Sequence, residues 1–250
     1  MRGPSITLLT DFGTADGYVA EMKGVLTSLA PDSAIIDASH EVLPQDVQGA
    51  RLALARYWRH FPVGTVHVVV VDPGVGTSRA ALAVESDGRY LVGPDNGVLS
   101  PALVWPGARV VSLAIPADAA HTFHGRDVFA PAAARLVSGE MLDALGPRFA
   151  DAHIERTPLA HQREDGSLEG RVITIDRFGN AITNFVARNG VVEVAGWRLP
   201  VVQTYAEVEP GEPCAVAGSA GLLEIAVRNG SAAAVLRLSR ETPLLWHPVR

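Results

Sequence analysis

The stretch Thr65-Val-His-Val-Val-Val-Val71, followed at once by Asp72-Pro-Gly-Val-Gly-Thr-Ser-Arg79, decides the fold. Its first half is a nearly continuous apolar run, which predicts a strand buried on both faces of a parallel sheet. Asp72 and Pro73 end that run, so the polar segment begins at the carboxyl end of the strand. Ligands of open α/β sheets bind beyond this end. The stretch therefore predicts both a fold class and the edge of the sheet where a site is expected.

Strand-like and helix-like segments alternate on both sides of this strand. Strands are predicted over 6–10 and 34–38, helices over 17–29, 47–58 and 127–137, and a hairpin of two short strands around Asp87-Gly88. Asp46 is positioned to open the second helix. The alternation predicts an N-terminal three-layer α/β domain with a mainly parallel sheet, over residues 1–150.

The pattern changes in the second half of the chain. Residues 151–167 are polar and are predicted to form a linker. Short apolar runs separated by turns follow in the domain 168–250, at 170–175, 181–186, 191–194, 214–216, 222–227 and 233–238. Asn189-Gly190 and Asn229-Gly230 are typical hairpin turns. We expect a small all-β domain, a barrel or a sandwich.

Composition narrows the class of protein. The 250 residues are 48% hydrophobic and 19% charged, with a formal charge of −6, so the chain can bury large cores and lacks the basic balance of a nucleic-acid-binding protein. The single cysteine, Cys214, excludes an internal disulfide and any cysteine-rich metal site. No signal peptide is apparent, and no apolar run approaches the ~18 residues of a membrane helix. We expect a soluble, cytoplasmic protein without membrane partners.

Four polar clusters fall near predicted strand or helix ends: Thr10-Asp-Phe-Gly13 with Asp16, residues 72–79, Gly93-Pro-Asp-Asn-Gly97, and Thr122-Phe-His-Gly-Arg-Asp127. Any one of them is explained by a turn, because Asp, Gly and Pro dominate turns. By the same reasoning, Arg79 alone would be an ordinary salt-bridged arginine. Four clusters at such ends, however, predict a shared pocket.

Other kinds of site find less support in the sequence. His121 and His124 are three residues apart, but no HExxH or other ligand motif accompanies them, so we expect no metal. Gly74 and Gly76 match no phosphate-loop spacing, and no GxSxG elbow is present. His40 and His67 are expected to be structural.

Taken together, the motifs closely resemble those of the S-adenosylmethionine (SAM) hydroxide adenosyltransferases, or SAM hydrolases, which are relatives of the fluorinases and chlorinases. The resembling segments are the four clusters above, Asp176-Arg-Phe-Gly-Asn180 with Thr183-Asn184, and Ser219 to Ala232. The resemblance implies an α/β domain followed by a β-barrel and hydrolysis of SAM to adenosine and methionine without a cofactor. It also implies a homotrimer, with each site between the N-terminal domain of one subunit and the C-terminal domain of the next.

The resemblance also assigns roles to individual residues. It makes Asp72, Arg79 and His124 the catalytic set. The substrate-binding residues that it implies are Asp11 for the ribose diol, Asp16 and Asp176 for the methionine ammonium, Ser219 for the methionine carboxylate, Phe178 and Asn180 for adenine, and Glu224 and Val227 for adenosine. One departure concerns Ala220, which stands where the halogenases carry an arginine, so carboxylate binding is only partly explained.

The same resemblance separates water from halide as the nucleophile. Halogenases carry tyrosines at the positions of Asp72 and His124 and a serine at the position of Gly125, so water is favoured here. The R epimer at the sulfonium is an alternative substrate. Three rival functions are a SAM-dependent halogenase forming 5′-halo-5′-deoxyadenosine, a non-catalytic adenosine- or SAM-binding protein, and a metal-dependent hydrolase that uses His121 and His124.

Overall fold

The computed structural model describes residues 5–248 and divides the chain into two compact units, Met1–Arg156 and Thr157–Arg250. Each unit has hydrophobic core clusters of its own. Among the described residues, none of the helices combines the length and the apolar character that crossing a membrane would require.

The N-terminal unit is built on a six-stranded sheet in the order β2-β1-β3-β5-β4-β6. The strands are β1 (Ser5–Thr10), β2 (Ala34–Ser39), β3 (Val66–Val70), β4 (Ala81–Ser86), β5 (Arg89–Pro94) and β6 (Arg109–Leu113). The first four in spatial order are parallel, and β4 is antiparallel to both of its neighbours. Every residue of β3 is buried, so the strand predicted from the apolar run is confirmed.

Helices cover both faces of this sheet, which confirms the predicted three-layer architecture. Helices α1 (Tyr18–Leu29) and α4 (Ala130–Val137) pack on one face, and α2 (Val47–Tyr57) and α3 (Ser100–Leu103) pack on the other. Asp46 caps α2 as predicted, because its side chain accepts a hydrogen bond from Gly49 N at 3.0 Å. The last predicted helix begins two residues early, since a π-helical turn at Gly125–Phe129 leads directly into α4.

The C-terminal unit is a closed barrel of seven strands, which agrees with the barrel alternative. The order β14-β10-β11-β12-β13-β9-β8 closes through a β14–β8 pairing, and β7 adds to β8 outside the ring. The strands are β7 (His161–Gln162), β8 (Leu168–Ile175), β9 (Ala181–Thr183), β10 (Val191–Val194), β11 (Trp197–Val202), β12 (Pro213–Ala217), β13 (Leu223–Val227) and β14 (Pro243–His247). Closure pairs the edges that an open sheet would expose.

Two local predictions for this unit are wrong. The segment 233–238 is not a strand, and its first three residues belong to helix α5 (Ala232–Val235). Ser231 caps this helix by accepting a hydrogen bond from Ala234 N, and alanine favours helix. Neither Asn-Gly pair joins two paired neighbouring strands. The tight hairpin between β10 and β11 instead uses Ala195-Gly196, with φ of 50° and 82°.

Candidate active site

A cavity of ≈ 420 Å³ opens in the N-terminal unit at the carboxyl ends of β1 and β3. Three segments line it, and they belong to three of the four predicted clusters: residues after β1, residues after β3, and residues 122–125 before the π-helical turn. Pro44 and Gln45 complete the wall. The parallel strands β1 and β3 are adjacent, so the segments that leave their ends meet at one edge of the sheet.

Asp72, Arg79 and His124 lie in direct contact beside this cavity. Arg79 Nε donates to Asp72 Oδ1 and Oδ2 at 3.0 and 3.1 Å, and Arg79 Nη2 donates both to Asp72 Oδ2 and, at 2.9 Å, to His124 Nδ1. Arg79 Nη1 donates to Ala80 O at 3.3 Å. Asp72 and His124 line the cavity, whereas the Arg79 side chain is 9% exposed and is not among the lining groups. Arg79 thus contacts both of the other side chains without lining the cavity itself.

These contacts determine the protonation of His124. A guanidinium can only donate hydrogen bonds, so Nδ1 of His124 must be the acceptor and the ring proton of the neutral imidazole sits on Nε2. The environment supports the neutral form. Burial lowers the pKa of His124 most, the charge of Arg79 lowers it further, and the Asp72 carboxylate opposes this only in part. Neutral His124 therefore offers an N–H donor at Nε2.

The loop 72–79 packs closely against the segment that carries His121 and His124. Gly76 has φ of 77°, and a Cβ at this position would lie 2.4 Å from the backbone oxygen of His121. Beyond the end of β3, Asn96 Nδ2 donates to Val71 O at 2.8 Å, next to Asp72. The cluster Gly93–Gly97 does not line the cavity. It supports the loop that carries Asp72, and Asp95 Oδ1 accepts a hydrogen bond from His153 N at 2.7 Å.

The Asp11 end of the cavity is both acidic and aromatic. Asp11 Oδ2 accepts a hydrogen bond from Gln45 N at 2.7 Å. The rings of Phe12, Tyr18 and Phe123 contact one another with centroids 5.4 to 5.9 Å apart. Sequence reasoning did not single out these aromatic residues, although two of them lie inside the quoted motifs. Asp16 is exposed and lies outside the cavity lining.

In the C-terminal unit, three of the expected substrate-binding residues share the loop between β8 and β9. Asp176 Oδ1 accepts hydrogen bonds from Phe178 N at 2.9 Å and Asn180 N at 2.8 Å, and its Oδ2 accepts one from Asn180 Nδ2 at 3.0 Å. Much of the Asp176 carboxylate is thus used to fix its own loop. This loop presents the Phe178 ring to solvent, with 78% of the residue exposed.

The remaining expected residues differ in burial and in the face of the sheet that they occupy. Glu224 is 6% exposed and accepts a hydrogen bond from the Tyr205 hydroxyl at 3.3 Å. Burial raises the pKa of Tyr205, and the charge of Glu224 raises it further. Sequence reasoning missed Tyr205, for which no local motif exists. Val227 packs in the barrel core, and Ser219 lies exposed in the turn between β12 and β13.

Across residues 5–248, no group of three or more His, Cys, Asp or Glu side chains is placed to hold a metal ion. His121, the other member of the possible histidine pair, is exposed, and its charge is one of the smaller influences that lower the pKa of His124. The groups brought together at the cavity are instead a carboxylate, a guanidinium and a neutral imidazole.

The fold and the site define a two-domain class, with an α/β domain that carries an Asp–Arg–His contact and a β-barrel domain after it. The chain belongs to the SAM hydroxide adenosyltransferase family: the family's N-terminal domain matches residues 6–146 and its C-terminal domain matches residues 170–245.

Curated relatives and solved structures agree with this assignment. The (R)-S-adenosyl-L-methionine hydrolase of Thermus thermophilus is 45% identical over 96% of this chain and 98% of the relative. The fluorinase of Actinopolyspora mzabensis is more distant, at 30% identity over 92% of each chain. Among solved structures, an uncharacterized conserved protein from Thermotoga maritima has a TM-score of 0.88 at 33% identity, with 97% of this chain and 100% of that chain covered. A conserved hypothetical protein from Thermus thermophilus has a TM-score of 0.83 at 44% identity, with 99% and 100% covered.

Proposed function

We propose that this protein hydrolyses S-adenosyl-L-methionine to adenosine and L-methionine, with the R epimer at sulfur as its substrate. The relatives at 40 to 45% identity that are named (R)-S-adenosyl-L-methionine hydrolase support this activity. The observation in this chain that carries the proposal is the contact of Asp72, Arg79 and His124 at the wall of a cavity.

The reaction is an in-line displacement at C5′ of the adenosyl ribose. A water oxygen forms the new bond to C5′ as the C5′–S bond breaks, and the bonding electrons leave with sulfur as the neutral thioether of methionine. The water loses one proton as it attacks. The leaving group needs no acid, so the catalytic task is to position the water and accept its proton. Positioning alone can contribute up to ~7–11 kcal/mol in favourable intramolecular cases.

The geometry favours Asp72 as the proton acceptor. Each carboxylate oxygen can accept two hydrogen bonds, and Asp72 also lines the cavity. His124 Nδ1 is already used by Arg79, so His124 acts through its Nε2 proton as a donor that orients the water oxygen. Arg79 holds the Asp72 carboxylate in place through its hydrogen bonds and fixes the tautomer of His124.

The same wall disfavours a halide as the nucleophile. A carboxylate at the position of attack repels an anion but attracts a water proton. A serine at position 125, as in the resembling halogenases, has little room, because a Cβ there would lie 3.2 Å from both Met22 Sδ and Phe123 Cε2. These contacts favour water over a halide as the nucleophile.

The remaining assignments complete the proposal. Asp11 binds the ribose hydroxyls, and Asp16, Asp176 and Ser219 bind the methionine part. Phe178, Asn180, Glu224 and Val227 bind the adenosine part. The exposed Phe178 ring is suited to stacking on a base. We further propose a cytoplasmic homotrimer without metal or organic cofactor, in which the C-terminal residues of one subunit complete the N-terminal cavity of its neighbour.

The test is product analysis with purified, EDTA-treated protein and each SAM epimer. We expect adenosine and methionine in equal amounts, faster from the R epimer, and no halogenated nucleoside in chloride or fluoride. Arg79→Lys keeps the charge but loses the fork that joins Asp72 and His124, so its turnover should fall on the order of 10²-fold. Arg59→Lys, at an exposed arginine that stacks on Trp105, is the matched control and should retain turnover. Absence of adenosine from both epimers, or a halide-dependent product, would contradict the proposal.

A further inference from the structure

Two buried histidines make the same kind of hydrogen bond to strand β1, at different positions along the strand. Thr7 Oγ1 lies 2.7 Å from His67 Nδ1, and Thr10 Oγ1 lies 2.9 Å from His40 Nδ1. His67 is the second residue of β3, far from the carboxyl end of that strand, and its ring lies 5.6 and 5.5 Å from those of Tyr57 and Phe61. His40 follows β2, at the carboxyl edge of the sheet where the cavity opens.

The contact between His40 and Thr10 belongs to a series of polar contacts that runs from the surface to the interior. Lys23 Nζ donates to Asp37 Oδ2 at 2.6 Å, and Asp37 Oδ1 lies 3.0 Å from His40 Nε2. Partial burial alone would raise the pKa of Asp37, but the partners Lys23 and His40 outweigh it and hold that pKa below its usual value. A carboxylate 3.0 Å from Nε2 favours the tautomer with its ring proton on that nitrogen. His40 Nδ1 therefore accepts, and the Thr10 hydroxyl donates.

At the buried end of this series, hydrogen bonds fix the residues on both sides of Asp11. The Thr10 oxygen accepts a hydrogen bond from Phe12 N at 3.3 Å, and His40 O accepts one from Gly13 N at 2.8 Å. Thr10, the residue before Asp11, is completely buried. One residue, His40, thus holds the turn that carries Asp11 through its ring on one side and through its backbone on the other.

We infer that His40 is a positioning residue for Asp11 and Phe12, and through them for the ribose end of the cavity. This inference rests on the proposed function, in which Asp11 binds the ribose hydroxyls. Because His40 acts through the binding turn and makes no contact with Asp72, Arg79 or His124 among the described hydrogen bonds and ion pairs, its loss should impair binding more than chemistry. His67 makes the same bond away from the cavity and should affect stability alone.

Two amide substitutions separate the two ring nitrogens. In His40→Asn, Oδ1 replaces Nδ1 and can still accept from Thr10. In His40→Gln, the amide reaches Asp37 instead and leaves the Thr10 hydroxyl without its acceptor. The matched controls are His67→Asn and His67→Gln. Thr10→Val and Thr7→Val form a second pair of nearly equal shape, which tests the inference even where a histidine variant fails to fold.

The measurements are adenosine affinity by calorimetry, KM and kcat with SAM, and the melting temperature. We expect His40→Gln and Thr10→Val to weaken adenosine binding and raise KM about tenfold, equivalent to ~1.4 kcal/mol, with a much smaller change in kcat. His40→Asn should recover most of the affinity. The His67 and Thr7 variants should lower the melting temperature without changing affinity.

Each contrary outcome has a distinct meaning. If wild-type protein neither binds adenosine nor forms it from SAM, the proposed function fails and this inference fails with it. If wild-type protein does both, but the variants at positions 40 and 10 lose only stability, as at 67 and 7, the positioning role is overturned. A fall in kcat with unchanged KM in His40→Gln would also overturn it.

Discussion

At the scale of single residues, the position of Arg79 determines the role that we propose for it. An arginine beside a reacting water would usually be expected to contact that water. Here Arg79 uses four of its five N–H groups on Asp72, His124 and Ala80. In the proposed mechanism, Arg79 holds the Asp72 carboxylate and one imidazole tautomer of His124 at the wall of the cavity. A lysine cannot do this, because a single ammonium lacks the planar fork.

The first prediction separates the two groups that can accept the proton. Asp72→Asn keeps the shape of the side chain but removes the acceptor charge, so kcat should fall on the order of 10³-fold, in the range of general-base catalysis. His124→Asn keeps an acceptor for Arg79 at the position of Nδ1 and loses only the Nε2 donor, so it should retain more turnover than Asp72→Asn. Single-turnover rates with the R epimer measure both. A larger loss in His124→Asn would identify His124 as the base instead.

The second prediction concerns pH. Burial and Arg79 hold the pKa of His124 below its ordinary value of 6.5, so the ring stays neutral down to that pH. Protonation at lower pH removes the lone pair that accepts from Arg79. The activity that depends on this contact is therefore present above pH 6.5 and lost only as pH falls below it. A kcat–pH profile should show this acidic limb in wild-type protein but not in His124→Asn, and a limb centred above pH 6.5 would contradict the assignment.

At the scale of elements, the site depends on how closely two loops approach. The loop after β3 carries Asp72 and Arg79, and the segment before the π-helical turn carries His124. Gly76 allows their contact, since its φ of 77° and the nearby His121 oxygen both exclude a side chain. The π-helical turn then continues into α4, whose alanines pack against the sheet. His124 therefore lies on a segment that is anchored to the core.

The third prediction tests this approach of the loops. Gly76→Ala should reduce kcat strongly, because the added Cβ must move one loop away from the other and separate Arg79 from His124. Gly64→Ala is the matched control, since Gly64 has a similar φ of 85° but nothing within 4 Å of a Cβ. It should carry the backbone strain, about 1 kcal/mol, without the loss of activity. Equal activity in the two variants, measured as adenosine release, would show that the close contact is not required.

At the scale of the whole molecule, the expected site residues are divided between the two units. The N-terminal unit holds Asp72, Arg79, His124 and Asp11 beside one cavity. The C-terminal unit holds the loop of Asp176 to Asn180 and the buried Glu224. A homotrimer with sites between subunits, as proposed above, makes a prediction that a site within one subunit does not.

The fourth prediction is complementation between inactive subunits. One variant carries Asp72→Asn and the other carries a substitution in the C-terminal unit, such as Asn180→Ala. Coexpressed in equal amounts, they should form mixed trimers in which about a quarter of the sites combine two intact halves. Adenosine formation should return to about that fraction of wild type. Recovery should be absent when each variant is purified alone, and light scattering should give three times the mass of one chain. No recovery in mixed trimers would place the site within one subunit.

The sequence by itself determined the architecture and the identity of the polar clusters. The apolar run 65–71, the period of α1 and α2 and the Asp87-Gly88 turn are local signals, because burial on two faces, helical spacing and positive φ each constrain the residues that carry them. The family motifs added the expectation that Asp72, Arg79 and His124 form the catalytic set. The segment 233–238 was misread because a short alanine-rich run has no clear period, and its cap at Ser231 decided its structure.

Only the tertiary structure decided how these residues are arranged. Neighbouring parallel strands bring residues 11 and 72 to one edge, and the segment before the π-helical turn brings residue 124 to the same cavity. The equally polar cluster Gly93–Gly97 instead supports the loop of Asp72 from outside the cavity. The direction of the Arg79 fork, the tautomer of His124 and the different positions of His40 and His67 depend on contacts between residues far apart in the chain. Local sequence constrains φ, ψ and burial, but a hydrogen bond needs a partner, and only the folded chain supplies it.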